Sequence, residues 1–496
     1  MQKKNIKRAK FGSRLGFILV SAGCAIGLGN VWKFPYVMGQ NGGAGFTIIY
    51  LIFLVILGIP LMTMEFSVGR ASQASIATGF RKLEKKGSKY HIFGYLGVAG
   101  NYLLMMFYTT VAGWMLYYFY KMINGSLVNL SASEIEGTYK SLLKSPLNLT
   151  FWMIIAVTLS FSVTLIGMEK GVEKVSKFMM TSLLILMIVM VIRSVTLPGA
   201  KEGLMFFLKP DFNKMKEIGI GNVIFQALGQ AFFTLSIGMG SMMVFGSYTD
   251  KRRSLTGEAL TITLLDTSVA IMAGLIIIPA CFAYNIHPGA GPGLIFITLP
   301  NVFNSMPLGQ LWGLLFFLFL SFAALSTVIA IFENLISFFI DLFGVSRRMS
   351  IIINFFLIII LSVPCILGFN VLSDFHPFGP TSNILSLEDF IISQNILPLG
   401  SLVFLFFSVS KNGYGYDNFI KEANTGEGLN FPKKLKPYFL FVIPTLIIAV
   451  YIKGYYDFFI AEGLSGVIGI IISLIILIFL FYICFYNKYS KKKKIL

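Results

Sequence analysis

Gly23-Cys24-Ala25-Ile26-Gly27-Leu28-Gly29-Asn30 breaks the first apolar, membrane-length segment of the chain near its middle, and Thr234-Leu235-Ser236-Ile237-Gly238-Met239-Gly240 breaks the sixth. Each glycine costs a helix about 1 kcal/mol relative to alanine. In hydrocarbon an unpaired backbone group costs several kcal/mol more, so broken helix survives only where it faces protein or a water-filled site. Carbonyls and amides freed at such breaks can hold a cation and an anionic group together. A five-helix repeat would put the two breaks in corresponding positions, the sequence pattern of a secondary-transporter site near the bilayer midplane.

The remaining sequence fits that reading. Of 496 residues, 56% are hydrophobic and only 12% charged, which leaves room for about twelve apolar runs of about 20 residues. They centre near positions 25, 57, 108, 158, 184, 235, 270, 322, 360, 400, 445 and 475. Met1 to Lys10 is strongly basic, but the apolar stretch after it lacks a small-residue cleavage site, so no signal peptide is expected. The net charge of +18 sits mostly in short loops, which favours membrane topology over nucleic-acid binding.

An inside N-terminus puts Lys3-Lys4, Lys7-Arg8, Arg81-Lys82, Lys85-Lys86, Lys170, Lys251-Arg252-Arg253, Arg347-Arg348, Lys433-Lys434 and Lys491 to Lys494 on the inner face. The loop with Lys201, Lys209, Lys214 and Lys216 goes against the rule and is expected to be folded structure. The outer loop 124–148 is polar, 288–304 reads as a re-entrant or surface hairpin, and 411–437 is the longest polar connection near the C-terminus. Cys24, Cys281, Cys365 and Cys484 lie in apolar context without metal-like spacing and read as buried thiols.

The chain resembles the neurotransmitter:sodium symporter family at a series of motifs in family order. They are Ser13-Arg14-Leu15-Gly16-Phe17, Gly27 to Pro35, Asn41-Gly42-Gly43-Ala44, Gly58-Ile59-Pro60-Leu61, Gln230 to Ser236 and Ser393 to Gly400. The resemblance implies an all-α membrane protein of about 12 transmembrane helices, as in the bacterial leucine transporter. Two inverted five-helix repeats, with helices 1 and 6 broken, would precede two C-terminal helices. The corresponding divisions are a cytoplasmic N-terminal segment at 1–13, repeats at 14–196 and 222–413, a cytoplasmic loop at 414–436, helices 11 and 12 at 437–487, and a basic cytoplasmic tail at 488–496. The implied activity is sodium-coupled uptake of an amino acid or amine across the plasma membrane.

A sodium ion wants about five or six oxygens. By similarity the first site takes the Ala25 carbonyl, Asn30, Thr234 and Asp266, completed by the substrate carboxylate. Asn30 could equally bond between helices, and Thr234 back to its own helix. Asp266 lies within an apolar span, where a carboxylate is a functional residue by default. Chloride-dependent members of the family usually have asparagine at the aligned position and a serine four residues on, where this chain has Ala270. Asp266 could supply the charge that chloride supplies elsewhere, so chloride is not expected to be required. The other chloride-site matches are Tyr50, Gln230 and Thr234. The second sodium site would use carbonyls of Gly23, Ile26 and Ala323 with the hydroxyls of Ser326 and Thr327. Ala323, Ser326 and Thr327 share one helical face, which close helix packing would also favour.

For the substrate, the resemblance implies Cys24, Ala25, Gly27, Leu28, Gly29, Tyr108, Phe233, Thr234 and Ser236 around the zwitterion. Leu104, Met239, Thr327 and Ile331 join Tyr108 and Phe233 around the side chain. Monoamine carriers have an aspartate where this chain has Gly27, so the ligand is expected to bring its own carboxylate, and the apolar pocket favours a hydrophobic, aromatic amino acid. Lys33 and Asp389 match the outer gate, with lysine in place of the usual arginine. Arg8 and Asp341, with Tyr248 nearby, match the inner gate, and Phe11 replaces a usual tryptophan. Each of these charges could also be a solvated helix end. A gated channel or a sensor could use the same fold. An enzyme is not expected, since His91, His287 and His376 fall in or near loops with no nucleophile–base pair.

Overall fold

The computed structural model describes residues 8–286, 292–379 and 382–487. Lys3, Lys4, Lys7, His287, the first residues of the expected hairpin and the tail 488–496 lie outside them. Among the described residues the structure is helical, and the only strand-like pairings are the isolated bridges Gly43–Pro210 and Arg253–Glu427.

The broken first segment, α1, consists of Arg14–Ala25 and Gly29–Gln40, bent by 58°. Next come α2 (Ala44–Ser72), α3 (Tyr90–Ile123), α4 (Pro146–Ile166) and α5 (Met168–Val195). The second broken segment, α6, is split into Ile220–Thr234 and Ser241–Tyr248. It is followed by α7 (Leu255–Ala283), α8 (Gly309–Phe343), α9 (Arg347–Leu367), α10 (Ile384–Val409), α11 (Lys433–Ala461) and α12 (Gly466–Phe485). Among the described residues ten helices, or eleven with the bent pair, are long and apolar enough to cross a membrane. Neither half of α6 is long enough alone, because the glycines divide it.

Proline shapes several of these helices. Five of the six wider π-helical turns among the described residues, Gly29–Lys33, Leu54–Gly58, Leu294–Thr298, Ile391–Ile396 and Tyr438–Val442, end two residues before a proline (Pro35, Pro60, Pro300, Pro398 and Pro444); the sixth, Met168–Glu173, does not. Proline has no N–H, and its ring crowds the carbonyl four residues back. A wider turn moves that carbonyl aside without ending the helix. Pro279 and Pro364 sit inside α7 and α9 without such a turn.

Packing fixes the breaks against the rest of the bundle. A Cβ on Gly400 of α10 would lie 2.0 Å from the Gly238 carbonyl oxygen, and one on Gly69 of α2 would lie 1.8 Å from that of Met243. Only glycine permits this approach. The outer surface is apolar: α12 exposes Ile468, Ile471, Ile475 and Ile478, whereas α8 and α10 are the most enclosed helices. A sheath of this kind suits lipid contact rather than water.

The connections are folded as well. The lysine-rich loop holds helices Ala200–Leu208 and Phe212–Ile218, and Lys214 donates to the Gly39 carbonyl at 3.0 Å. The 124–148 connection carries Ala132–Lys144, opened by a capping box between Ser131 and Glu134. The described part of the expected hairpin forms the short apolar helix Leu294–Asn304. Tyr416–Ala423 is held by Arg70, which is buried and donates to the Glu422 carboxylate at 2.6 Å and the Arg253 carbonyl at 2.8 Å.

Candidate functional site

The first half of α1 closes with the Ile26 N–H on the Ala22 carbonyl at 2.7 Å, after which Ile26 turns extended at φ −68°, ψ 105°. In α6, Gly238 and Gly240 take φ +101° and +80°, and Ser236 is driven to φ +50°. These conformations suit glycine and strain serine. Both helices therefore stop in the protein interior and release backbone groups there, as the glycine spacing predicts.

The clearest oxygen cluster lies between α1 and α8. The Thr327 hydroxyl is 3.1 Å from the Gly23 carbonyl, 3.1 Å from that of Ile26 and 3.2 Å from that of Ala323. The Ser326 hydroxyl is 3.2 Å from the Gly23 carbonyl and 2.9 Å from that of Ala323. All five oxygens named for the second cation site converge. Ser326 and Thr327 are buried, so the cluster is closed to bulk water.

The second cluster joins α1, α6 and α7. Asn30 donates through Nδ2 to the Asp266 carboxylate at 2.9 Å and to the Thr234 hydroxyl at 3.0 Å, and Thr234 donates to the same carboxylate at 2.9 Å. The Asn30 Oδ1 accepts from the Gly27 N–H at 3.1 Å. Asp266 is fully buried, and no lysine or arginine pairs with it among the described residues. A carboxylate held this way is a ready partner for a cation. Around it, the Tyr50 hydroxyl and the Gln230 Oε1 lack hydrogen-bond partners, and the Gln230 Nε2 donates to the Gly29 carbonyl at 3.3 Å. Ala270 is buried and brings no hydroxyl.

Above both clusters opens a cavity of about 340 Å³. Every substrate residue expected from the sequence lines it except Ile331. Ile331 follows Thr327 by one helical turn, about 5.4 Å along α8 toward Asp341. There it is fully buried and does not line the cavity. At the break the Leu28 N–H donates to the Tyr108 hydroxyl at 3.3 Å, and the Ser236 hydroxyl reaches the Cys24 carbonyl at 3.5 Å. A Cβ on Gly27 would lie 2.6 Å from the Tyr108 oxygen, and one on Gly29 would lie 2.5 Å from the Phe233 ring.

The two ends of this path differ. Toward Asp341, Arg8 donates to both carboxylate oxygens at 2.8 Å, bonds Ser247 and Ser337, and lies 4.9 Å from the centre of the Tyr248 ring. Tyr248 donates to Glu333 at 3.0 Å, and Glu333 pairs with Arg347 at 2.5 Å. Phe11 packs edge-on at 6.2 Å against Tyr248. At the opposite mouth Lys33 and Asp389 both line the cavity, but they form no ion pair. Lys33 stands 3.8 Å over the Phe233 ring, and Asp389 accepts from Ser393 at 2.7 Å. The expected outer pair is thus unmade in this structure: a lysine ammonium has no planar fork to reach sideways, and the ring face satisfies it.

The sequence model of the Sodium:neurotransmitter symporter family matches residues 8–139 and 132–490. The chain belongs to this family. It is 35% identical over 452 residues to the uncharacterized sodium-dependent transporter YhdH of Bacillus subtilis, covering 90% of this chain and 98% of that one. With the sodium- and chloride-dependent glycine transporter 1 of Xenopus laevis it shares 26% identity, over 69% of this chain and 62% of that protein. The crystal structure of MhsT in complex with L-phenylalanine superposes with a TM-score of 0.80 at 38% identity, covering 90% of this chain and 99% of MhsT. Membership makes the chain a multi-pass membrane transporter of a sodium-dependent family, not an enzyme.

Within this family fold, Glu65 of α2 was missed in the sequence reading. It is fully buried, and it accepts the Gly238 N–H, so it holds the α6 break open. The rule that singled out Asp266, a carboxylate in an apolar span, applies equally to Thr63-Met64-Glu65-Phe66. Phe107 and Val111 of α3 also line the cavity, and the Glu333–Arg347 pair adjoins Tyr248 beside Arg8 and Asp341.

Proposed function

We propose that the chain is a sodium-coupled symporter that takes up a neutral hydrophobic, preferably aromatic, amino acid by alternating access. The observation carrying this reading is the fit of Tyr108 against Gly27. With its hydroxyl 2.6 Å from where a Cβ would stand, the protein has no room for an amine-pairing carboxylate at that position. The ligand therefore supplies its own carboxylate, and the apolar residues of a cavity of about 340 Å³ receive its side chain. MhsT, solved with L-phenylalanine, is consistent with that substrate class.

In the proposed cycle the Leu28 and Gly29 amides and the Tyr108 hydroxyl take the substrate carboxylate, helped by the positive end of the helix half beginning at Gly29. Carbonyls of Ala25, Phe233 and Thr234, with Ser236 beside them, take the ammonium. One sodium sits at the Ala25 carbonyl, Asn30, Thr234 and Asp266, sharing the substrate carboxylate, which makes their binding mutually dependent. A second sits in the five-oxygen cluster and ties α1 to α8. Asp266 supplies the fixed negative charge, so chloride is not needed. Arg8–Asp341 seals the inner side while Lys33 and Asp389 stand apart, an outward-accessible arrangement of the gates. The inverted repeats at 14–196 and 222–413, with both termini cytoplasmic in the plasma membrane, complete the proposal.

The test is uptake of radiolabelled amino acids into proteoliposomes with and without a sodium gradient. Sodium-driven accumulation of phenylalanine- or leucine-sized substrates is expected. Sodium-independent flux would indicate a channel, and binding without accumulation would indicate a sensor.

A further inference from the structure

Glu388, in the first turns of α10, is 2% exposed, and neither of its carboxyl oxygens has a hydrogen-bond partner. The other acids around the site each have at least one partner: Asp266 has Asn30 and Thr234, Glu333 has Arg347, and one oxygen of Glu65 has the Gly238 amide. The start of α10 packs against α3 and α9. From α9 the group facing Glu388 is the fully buried Cys365 thiol, with Thr110 of α3 standing at that thiol in turn. Among the described residues no lysine, arginine or histidine forms an ion pair with it. On its own helix Asp389 turns away to Ser393, and His376, in the loop ahead, is engaged with the Ser382 carbonyl at 2.8 Å. A carboxylate with only the weak donor of a thiol beside it and no counter-charge is costly in such surroundings, whereas the neutral acid is tolerated.

We propose that Glu388 is a proton-binding site behind the outer gate, occupied while Lys33 and Asp389 are apart and vacated when they pair. The placement supplies the coupling. Leu385, Asp389 and Ile392 line the substrate cavity, and Glu388, three residues after Leu385 and four before Ile392, lies on the flank of that same helical face beside Cys365. While Asp389 is unpaired its charge, one residue away, opposes a second carboxylate. Closing the gate brings the Lys33 ammonium to Asp389, cancels that charge and favours ionisation of Glu388. The carboxyl O–H bond breaks, the electron pair stays on the oxygen, and the proton passes to water in the outer vestibule. By linkage, low pH stabilises the open outer gate.

Infrared difference spectra of the purified full-length protein test the site itself, without reference to any substrate. Between about pH 6 and 9, a range chosen to bracket neutrality, the wild type should lose a carboxylic-acid carbonyl band that shifts in heavy water. Glu388→Gln, which is isosteric with the neutral acid, should lack that band. Identical spectra in the two proteins overturn the site. Cys365→Ser is the second variant: its stronger donor should favour the carboxylate and move the band's loss to lower pH, and an unmoved transition also counts against the assignment.

Coupling is read by adding sodium and L-phenylalanine to weakly buffered protein with a pH dye. About one proton per chain should be released by the wild type and none by Glu388→Gln. Release from both, or from neither when binding is measured directly, overturns the coupling. Failure of L-phenylalanine to bind would instead count against the substrate assignment, and the infrared result would stand.

Discussion

Replacing Ser326 and Thr327 together by alanine should disable the cation site between α1 and α8 while leaving the fold intact. The five oxygens there comprise three carbonyls and these two hydroxyls, all within 3.2 Å of one another along the chain of contacts described above. The double substitution removes two of the five ligands. An interaction with a charged group contributes about 1.5–3 kcal/mol, so the loss is about 3–6 kcal/mol. That corresponds to roughly 10²- to 10⁴-fold in sodium affinity. The cost to folding is smaller, about 1 kcal/mol for each neutral hydrogen bond, because both hydroxyls now donate only to carbonyls. Thr327→Val, which keeps the volume, controls for packing. The assay is sodium titration of substrate binding on purified protein, with thermal unfolding of each variant alongside. A correctly folded double variant with wild-type sodium dependence would remove this site from the mechanism.

The other substitutions address separate parts of the site. Met239→Phe puts a rigid ring between two left-handed glycines at the cavity wall; competition binding should show about tenfold weaker affinity for the bulkiest amino acids and little change for leucine-sized ones. A reversed ranking would contradict the pocket assignment. Gly27→Ala should displace the Tyr108 hydroxyl and weaken substrate binding by about 1–3 kcal/mol, measured by equilibrium dialysis. Asp266→Asn should abolish sodium-dependent uptake or make it chloride-stimulated, whereas wild-type uptake should be unchanged when gluconate replaces chloride; strong wild-type chloride dependence would refute the role of Asp266. Lys33→Arg should restore a forked pair with Asp389, giving tighter binding by up to about 1 kcal/mol and slower substrate exchange.

The parts of the site that depend on backbone breaks were legible from glycine alone. Gly27, Gly29, Gly238 and Gly240 sit where helices cannot continue, and the described structure stops them there. The Ser326–Thr327 face was legible because i, i+3 and i+4 spacing is fixed by helix geometry. Ile331 shows the limit of that argument. Spacing puts it on the Thr327 side of α8, but spacing does not say how far down the helix the cavity reaches. Lys33 shows another: a sequence gives the two gate charges without saying which conformation has joined them. Glu65 was legible and overlooked, since its only signal, a charge in an apolar run, was the one used for Asp266 on α7, five helices later.

The two gates explain each other through the α1 break. Arg8 anchors the inner end of α1 to α8 through Asp341 and Ser337, and the oxygen cluster at Gly23, Ile26 and Thr327 anchors its middle to the same helix. The half beyond Gly29 has no such tie to α8 and carries Lys33, whose ammonium rests on Phe233 of α6 rather than on Asp389. A cation bound at Asn30, Thr234 and Asp266 would take the place of the hydrogen bonds that already tie this outer half to α6 and α7, and so shift both helices against it. Phe233 adjoins Thr234, so the same movement disturbs the ring beneath Lys33. In the proposed cycle, release of the ammonium from the ring would let it reach Asp389, with the break as the joint between the outer half of α1 and its anchored inner half.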